Sequence, residues 1–488
     1  MTRKSFLILF SVAALLRVLF VWQAPLWYDE NFSLLIARLP FEQFWQAILG
    51  DVHPPLYYLI IRPIAQLGGA AWLIRLPSVA FSLAALYFAW KSFIELRVPP
   101  LVQFAALTLL TILPTQLWFA QEARMYALLE MLVMIGFYAL ITKRWWWLTF
   151  ANLALLYTQN YGLFYVAIFG LMLLLSWQWK ALWTCILPGI AWLPWIFVLL
   201  GQMKNIAGKY WITSVFSSPA SLLNIFPQLF FGASLPGLLV PFGWLMLFAT
   251  LMIGLVYLVR NKPAHWLGIL LMAFGPMLFA IIASLIWQPV MLYRPLLGST
   301  PFICLMICYP LHDVITWSEN IKSLLLWNHR TSFYLAILIF VLPVLVANLI
   351  GYYVYAPQLK GVMINQALTY IRANWQPNDI IVHTGDGSLV NMLPYSHDLA
   401  QVRLIDCESA IGSLSDQTRD ALGVQPVSVE TLTNAMHMAG VRLWVIGGAT
   451  PLDPKCFADQ IAPLTQGAPA FVIDDNEYIS SGVWVVKQ

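Results

Sequence analysis

Runs of about 20 apolar residues recur along most of this chain, and nothing else in it limits the fold so strongly. Inside a bilayer no water satisfies a backbone N–H or C=O, so only helices and closed barrels can cross. A barrel strand would need about half this length and would alternate apolar with polar residues. Of the 488 residues 60% are hydrophobic and only 10% are charged, against about 25% charged in a soluble domain. The pattern predicts a multi-pass α-helical membrane protein. Runs at 5–24, 75–95, 101–119, 123–142, 145–159, 161–178, 182–202, 237–259, 266–287, 296–313 and 332–353 give about eleven spans.

The first run contains Arg17 and is followed by no small-residue cleavage site, so it reads as a retained first helix with Arg3 and Lys4 in the cytoplasm. Short stubs such as Lys143-Arg144 then fall on the same side, in agreement with the positive-inside rule. Many of the 23 Trp lie at the ends of apolar runs, as an interfacial belt requires. The net charge of +4 gives no sign of a nucleic-acid partner. Residues 54–69 are too short to span and contain Pro63, so they read as a helix lying in the outer interface, started by Pro54-Pro55. The first outer loop then covers 25–74, within a membrane domain of residues 1–353.

Beyond residue 354 polar residues become frequent. A helix at 357–374 precedes strands at Asp379–Thr384, Val402–Ile405, Val441–Ile446, Phe471–Ile473 and Val483–Val486, with helices at 410–421 and 429–439 between them. This predicts a soluble α/β domain over 354–488, on the outer side with the first loop. Gly385-Asp386-Gly387 reads as a tight strand-to-helix turn, with a lone Gly-x-Gly as a weak nucleotide signal beside it. Cys304 and Cys308 share one apolar run, whereas Cys407 and Cys456 could pair only in an oxidising compartment.

Where charge is this scarce, grouped charge suggests chemistry. Asp29-Glu30 follow the first span, at the start of a short helix anchored by Phe32 and Leu34. A carboxylate there serves either as a general base toward an acceptor hydroxyl or amine, or as a helix cap. Asp51 and His53 precede Pro54-Pro55, which would hold them rigidly. They could orient an acceptor, move a proton, or join Glu30 around a divalent cation, although the spacing matches no known ligand pattern. Arg75, Arg124 and Arg294 lie at outer helix mouths, where a guanidinium can grip a lipid phosphate or simply snorkel to the interface.

Trp27-Tyr28-Asp29-Glu30, Asp51-Val52-His53-Pro54-Pro55-Leu56-Tyr57-Tyr58, Arg75-Leu76-Pro77-Ser78 and Gln121-Glu122-Ala123-Arg124-Met125-Tyr126 occur in that order, with a looser Tyr293-Arg294 later. This series resembles the GT-C membrane glycosyltransferases, in particular bacterial relatives of protein O-mannosyltransferases and of lipid A aminoarabinose transferases. The resemblance implies a sugar donor carried on polyprenyl phosphate, an inverting transfer at the outer face of a bacterial cytoplasmic membrane, and a lipid, glycan or protein acceptor. It places catalysis on Asp29, Glu30 and Asp51, and the donor phosphate on Arg124, Arg294 and Arg75. His53, Glu122, Tyr57 and Tyr126, inside the same motifs, are the expected acceptor or supporting residues. Two departures are visible. The family's Tyr-Thr-His-Tyr segment reads Tyr157-Thr158-Gln159-Asn160-Tyr161 here, and Pro295 follows Arg294 where Tyr is usual. Two other classes compete. A transporter of lipid-linked sugar would place polar groups mid-span, where Arg17 alone stands out, and a scaffold would leave the acidic loop without a purpose.

Overall fold

Ten of the eleven apolar runs begin within the part of the chain for which a computed structural model describes atoms: residues 1–206, 212, 220–287, 289–313, 343–354, 364–405, 414–436, 441–447, 471–473 and 481–486. The run 332–353 is described only from residue 343, and Cys407 and Cys456 lie outside the described residues. The membrane part is helical: α1 (Arg3–Val18), α2 (Tyr28–Arg38), α3 (Phe41–Gly50), α4 (Leu56–Leu67), α5 (Ala71–Glu95), α6 (Pro100–Ile112), α7 (Pro114–Ala120), α8 (Tyr126–Ile141), α9 (Trp145–Thr158), α10 (Gly162–Leu175) and α11 (Trp183–Ile206), followed by Val240–Asn261, Trp266–Ile286 and Thr300–Cys308. Among the described residues five helices are long and apolar enough to cross a membrane, or six if α6 and α7 form one span bent by 57°. The chain is an integral membrane protein. The count of eleven is not reproduced, because several runs fold as shorter helices: α1 has 16 residues and α9 has 14.

The bend between α6 and α7 has a specific cause and a specific repair. Pro114 has no N–H, so the carbonyl four residues earlier loses its helical partner. Arg17 of α1, fully buried, donates to that carbonyl, Leu110 O, at 3.0 Å, and also to Ser82 Oγ on α5 at 2.8 Å. The chain turns back after α1, where Gln121 Nε2 donates to the carbonyls of Arg17 at 2.9 Å and Leu19 at 2.8 Å. Sequence reading took Arg17 as the lone mid-span charge. Glu130 is a second, buried in α8 and accepting from Gln116 Nε2 at 2.8 Å. Both groups thus bond to neighbouring helices.

Among the described residues the C-terminal part carries one six-stranded sheet, β1 (Asp379–His383), β2 (Gln401–Leu404), β3 (Gln425–Val427), β4 (Arg442–Gly447), β5 (Phe471–Ile473) and β6 (Ser481–Val486), in the order β3-β2-β1-β4-β6-β5. The first four are mutually parallel; β6 runs antiparallel to β4 and to β5. In β4, Leu443 and Val445 pack on one face, and Trp444 and Ile446 on the other, the period-2 pattern of a strand covered on both sides. Sequence reading missed β3, whose three residues include Pro426. A proline is tolerated there because β3 is an edge strand. It also missed the helix Asp386–Ser396, which the Gly385-Asp386-Gly387 turn introduces.

Helices α2 and α3 and the C-terminal part are packed together. Leu389, Val390, Ala421, Leu422 and Val424 belong to the same buried apolar cluster as Phe32 and Phe44.

Candidate functional site

The acidic loop folds as a helical platform. Asp29 and Glu30 occupy the first turn of α2, where unpaired N–H groups favour a carboxylate. Phe32 and Leu34 are buried beneath them. A helix expected at 54–69 is present as α4, which begins directly after Pro54-Pro55. α4 is fastened to α2: Arg62 Nη1 donates to Ala37 O at 3.0 Å, and Arg38 Nε donates to Ala65 O at 3.1 Å. The two acidic clusters are thereby held on one rigid pad.

Asp29 and Glu30 point to different partners. Asp29 Oδ2 pairs with Arg294 Nη1 at 2.8 Å, with the two side chains 22% and 20% exposed. The Arg294 guanidinium lies over the Trp27 ring at 5.3 Å, a cation–π contact that fixes its plane. Glu30 is fully buried. Its carboxylate accepts from Arg75 Nε at 2.7 Å and Nη2 at 2.6 Å, from Ala123 N at 2.8 Å, and from Trp27 N at 3.4 Å, the last as a helix cap. Arg75, 1% exposed, also donates to the carbonyls of Val21 at 2.8 Å, Ala24 at 2.7 Å and Pro25 at 2.9 Å. A guanidinium has five N–H donors, and these five bonds leave Arg75 none for a phosphate. Glu30 likewise faces no open space.

Arg124 is the hub of the second cluster. It is 4% exposed and reaches Asp29 O and Tyr58 Oη at 3.4 Å, Ser33 Oγ at 3.3 Å, and His53 Nε2 at 3.4 Å. His53 Nε2 faces that guanidinium, and its Nδ1 lies 3.2 Å from Asp51 Oδ2. Tyr58 Oη donates to the same Asp51 oxygen at 3.0 Å. The Nε of Arg124 is buried and meets no acceptor among the described residues.

Burial alone would raise the Asp29 carboxyl, but Arg124 and Arg294 outweigh it and hold it below its ordinary value of 3.8. Asp51 is also held down, His53 being the main counterweight to its burial. Burial, and then the nearby Asp386 of the soluble part, push the Tyr28 phenol up. Both acids are therefore ionised at neutral pH.

Asp29, Asp51, His53, Arg124 and Arg294 meet in one cluster, although they come from four separate segments. Tyr57 is buried but turns to Ser78 Oγ at 3.2 Å, so it is Tyr58, which sequence reading passed over, that bonds Asp51. Tyr126 is buried and packs its ring against Phe119 at 4.9 Å. Glu122 is buried two residues before Arg124. A cation shared by Glu30, Asp51 and His53 is not supported, because Glu30 is committed to Arg75. Among the described residues no group of three His, Cys, Asp or Glu could hold a metal.

The segment 157–161 that departs from its motif has a structural task. Asn160 Nδ2 donates to Val52 O at 3.0 Å, between Asp51 and His53. Tyr161 Oη donates to Val290 O at 2.8 Å and accepts from Leu292 N at 3.0 Å, and Tyr165 Oη donates to Pro295 O at 3.0 Å. One stretch of chain thus orients both Asp51 and Arg294. Nothing in the spacing signals this, since the partners are backbone atoms over 100 residues away. A cavity of about 170 Å³ opens here, walled by His53, Asn160, Phe164, Leu199, Trp287 and Val290. Of the charged cluster only His53 lines it.

No model of a known protein family matches the chain, and no curated protein does either. Solved structures do. The crystal structure of ArnT from Cupriavidus metallidurans in the apo state is 14% identical and superposes with a TM-score of 0.56, covering 99% of this chain and 98% of that one. The structure of ArnT from the same organism bound to undecaprenyl phosphate gives 0.53 at 14% identity, over 99% and 98% of the two chains. At this identity the likeness speaks for architecture, and over nearly the whole of both chains the architecture is shared: this chain has the GT-C fold.

Proposed function

We propose that this chain transfers a sugar from a polyprenyl-phosphate donor to a lipid, glycan or protein acceptor at the outer face of a bacterial cytoplasmic membrane. The observation that carries the reading is the Asp29–Arg294 ion pair set beside Arg124. A carboxylate and two guanidiniums in one half-buried spot suit a reaction that removes a proton and releases a phosphate. The ArnT structure with bound undecaprenyl phosphate, which shares this fold, supports the same donor class.

In the resting site Arg294 and Asp29 neutralise each other. A lipid phosphate is expected to take over Arg294 and the uncommitted Nε of Arg124. Asp29 then loses its partners and becomes a stronger base. It removes the proton from the acceptor O–H or N–H as that atom attacks the anomeric carbon. The bond from that carbon to the phosphate oxygen breaks, and its electron pair leaves with polyprenyl phosphate. One displacement inverts the centre. Asp51, steadied by His53 and Tyr58, is assigned the orientation of the acceptor and of Arg124. Glu30 and Arg75 are assigned the positioning of α2, in place of the catalytic and phosphate-binding roles their motifs suggest. Tyr57, Tyr126 and Glu122 are assigned support of the Arg124 turn, where Ser78 Oγ, the partner of Tyr57, lies 3.4 Å from Arg124 O.

The test is incubation of the purified protein with a panel of polyprenyl-phosphate sugars and mass spectrometry of the lipid phosphate released. Release from none of them would end the proposal. Arg124→Ala and Arg294→Ala are each expected to weaken undecaprenyl-phosphate binding by roughly tenfold to a hundredfold; the melting temperature should stay near wild type in Arg294→Ala, whose guanidinium is partly exposed, and fall in Arg124→Ala, which takes a buried charge from beside Asp29 and Asp51. Unchanged affinity in both variants would remove the phosphate role.

The pH profile follows from the depressed acid. A carboxyl held below its ordinary value of 3.8 stays ionised further as pH falls, so the acid limb of kcat/KM should lie below that of an ordinary carboxylate. Arg294→Gln removes one counter-charge, so its acid limb should shift to higher pH. An acid limb above pH 5 in the wild type would contradict the Asp29 assignment.

A further inference from the structure

The proposed mechanism needs Asp29 and Asp51 at a fixed separation, yet they sit on different segments of the outer loop. Each segment is tied to the soluble part within two residues of its acid. Two residues after Asp29, on the opposite side of α2, Asn31 is fully buried. Residues two apart on a helix face about 200° apart, so one side of α2 presents the acid and the other presents this amide. Asn31 Nδ2 donates to Leu26 O at 2.9 Å and to Asn391 Oδ1 at 3.0 Å, and its Oδ1 accepts from Tyr395 Oη at 3.0 Å. Directly before Asp51, Gly50 ends α3 against the helix Asp416–Ala421. A Cβ on Gly50 would stand 2.5 Å from Ser415 Oγ and 2.7 Å from Thr418 Oγ1. Thr418 Oγ1 donates to Ala47 O at 3.2 Å, the same carbonyl that receives the Asp51 N–H at 2.9 Å.

The two contact points are themselves locked together. Asp386 starts the helix that carries Asn391 and Tyr395, and Arg419 lies beside Thr418. Arg419 Nε and Nη2 each meet an Asp386 oxygen at 3.0 Å, with both side chains under 10% exposed. A bidentate, buried pair of this kind fixes orientation as well as distance.

We infer that the soluble α/β part is a two-point clamp that sets the separation of Asp29 and Asp51, with Asn391, Tyr395 and Thr418 as positioning residues and the Asp386–Arg419 pair as the bar between them. The inference rests on the proposed sugar transfer for its purpose, but its geometry can be tested without any substrate. The variants are Asn391→Leu combined with Tyr395→Phe, which removes one contact, and Gly50→Ala, which wedges the other open and removes no side chain.

The first measurement is amide hydrogen exchange on the full-length protein. Amides of residues 25–38 and 47–55 should exchange at least about tenfold faster in the variants, while those of α5 and α8 keep their protection. The second measurement uses the polyprenyl-phosphate sugar that the donor panel identifies. The transfer rate at saturating donor should fall by about tenfold or more, since misplacement of about 1 Å is enough for a loss of that size. The donor KM should stay within about threefold. Unchanged exchange in both loop segments overturns the clamp. So does a fall in rate matched by an equal rise in KM, which would mark a binding surface instead. If the wild-type protein transfers no sugar, the proposed function fails, and hydrogen exchange alone decides the clamp.

Discussion

Replacing Asp29 by asparagine is expected to lower sugar transfer by about a thousandfold, within the range of roughly 10² to 10⁴ for loss of a general base. The fold should hardly notice. Asp29 and Arg294 are 22% and 20% exposed, and partly solvated pairs of this kind contribute about 1 kcal/mol or less. Asparagine keeps an oxygen for Arg294, which also keeps its seat over the Trp27 ring. The variant should express normally, melt within a few degrees of the wild type and bind undecaprenyl phosphate at least as well, because no anion then competes for Arg294. The measurements are transfer rate, melting temperature and lipid-phosphate affinity on one preparation. Transfer at the wild-type rate would remove Asp29 from the chemistry. A collapse of melting temperature would mean that the acid supports structure instead.

Much of this site was legible before any coordinates. Asp29, Asp51, His53 and Arg124 each lie in a short motif at a helix mouth, and scarcity of charge makes such residues stand out in an apolar chain. The helix started by Pro54-Pro55 was legible for a local reason, since proline presets the first turn. What stayed hidden depends on distant partners. Neither Tyr57 nor Tyr58 is marked by its sequence as the partner of Asp51; that depends on which face of α4 meets α2. The pairing of Asp29 with Arg294 joins residues 265 apart in the chain. Arg17 looked like an isolated charge because its partners lie far along the chain: Ser82 Oγ, and the Leu110 carbonyl that Pro114 frees. Gln159-Asn160-Tyr161 looked like a damaged motif, although two of its three residues hold backbone groups beside Asp51 and Arg294.

Arg75→Met should produce the largest loss of stability in the protein, with no selective loss of donor affinity. Arg75 and Glu30 are 1% and 0% exposed. Removing one partner of such a buried pair typically costs about 3–5 kcal/mol, because the other charge is left without compensation. The change would also strand the carbonyls of Val21, Ala24 and Pro25, which lie in the turn between α1 and α2. That turn sets where α2 begins, and so where Asp29 points. Arg75→Lys should recover only part of the loss, since an ammonium has three donors in place of five and cannot grip Glu30 along both edges. Combining Glu30→Gln with Arg75→Met should leave the protein more stable than Arg75→Met alone, because the uncompensated charge is gone. Melting temperature in detergent and yield of folded protein report these effects. The contrary pattern, with Arg75→Met melting like the wild type while undecaprenyl-phosphate affinity falls tenfold or more, would move Arg75 from the frame of the site into the phosphate pocket. Its five bonds to protein acceptors would then have to break when the donor binds.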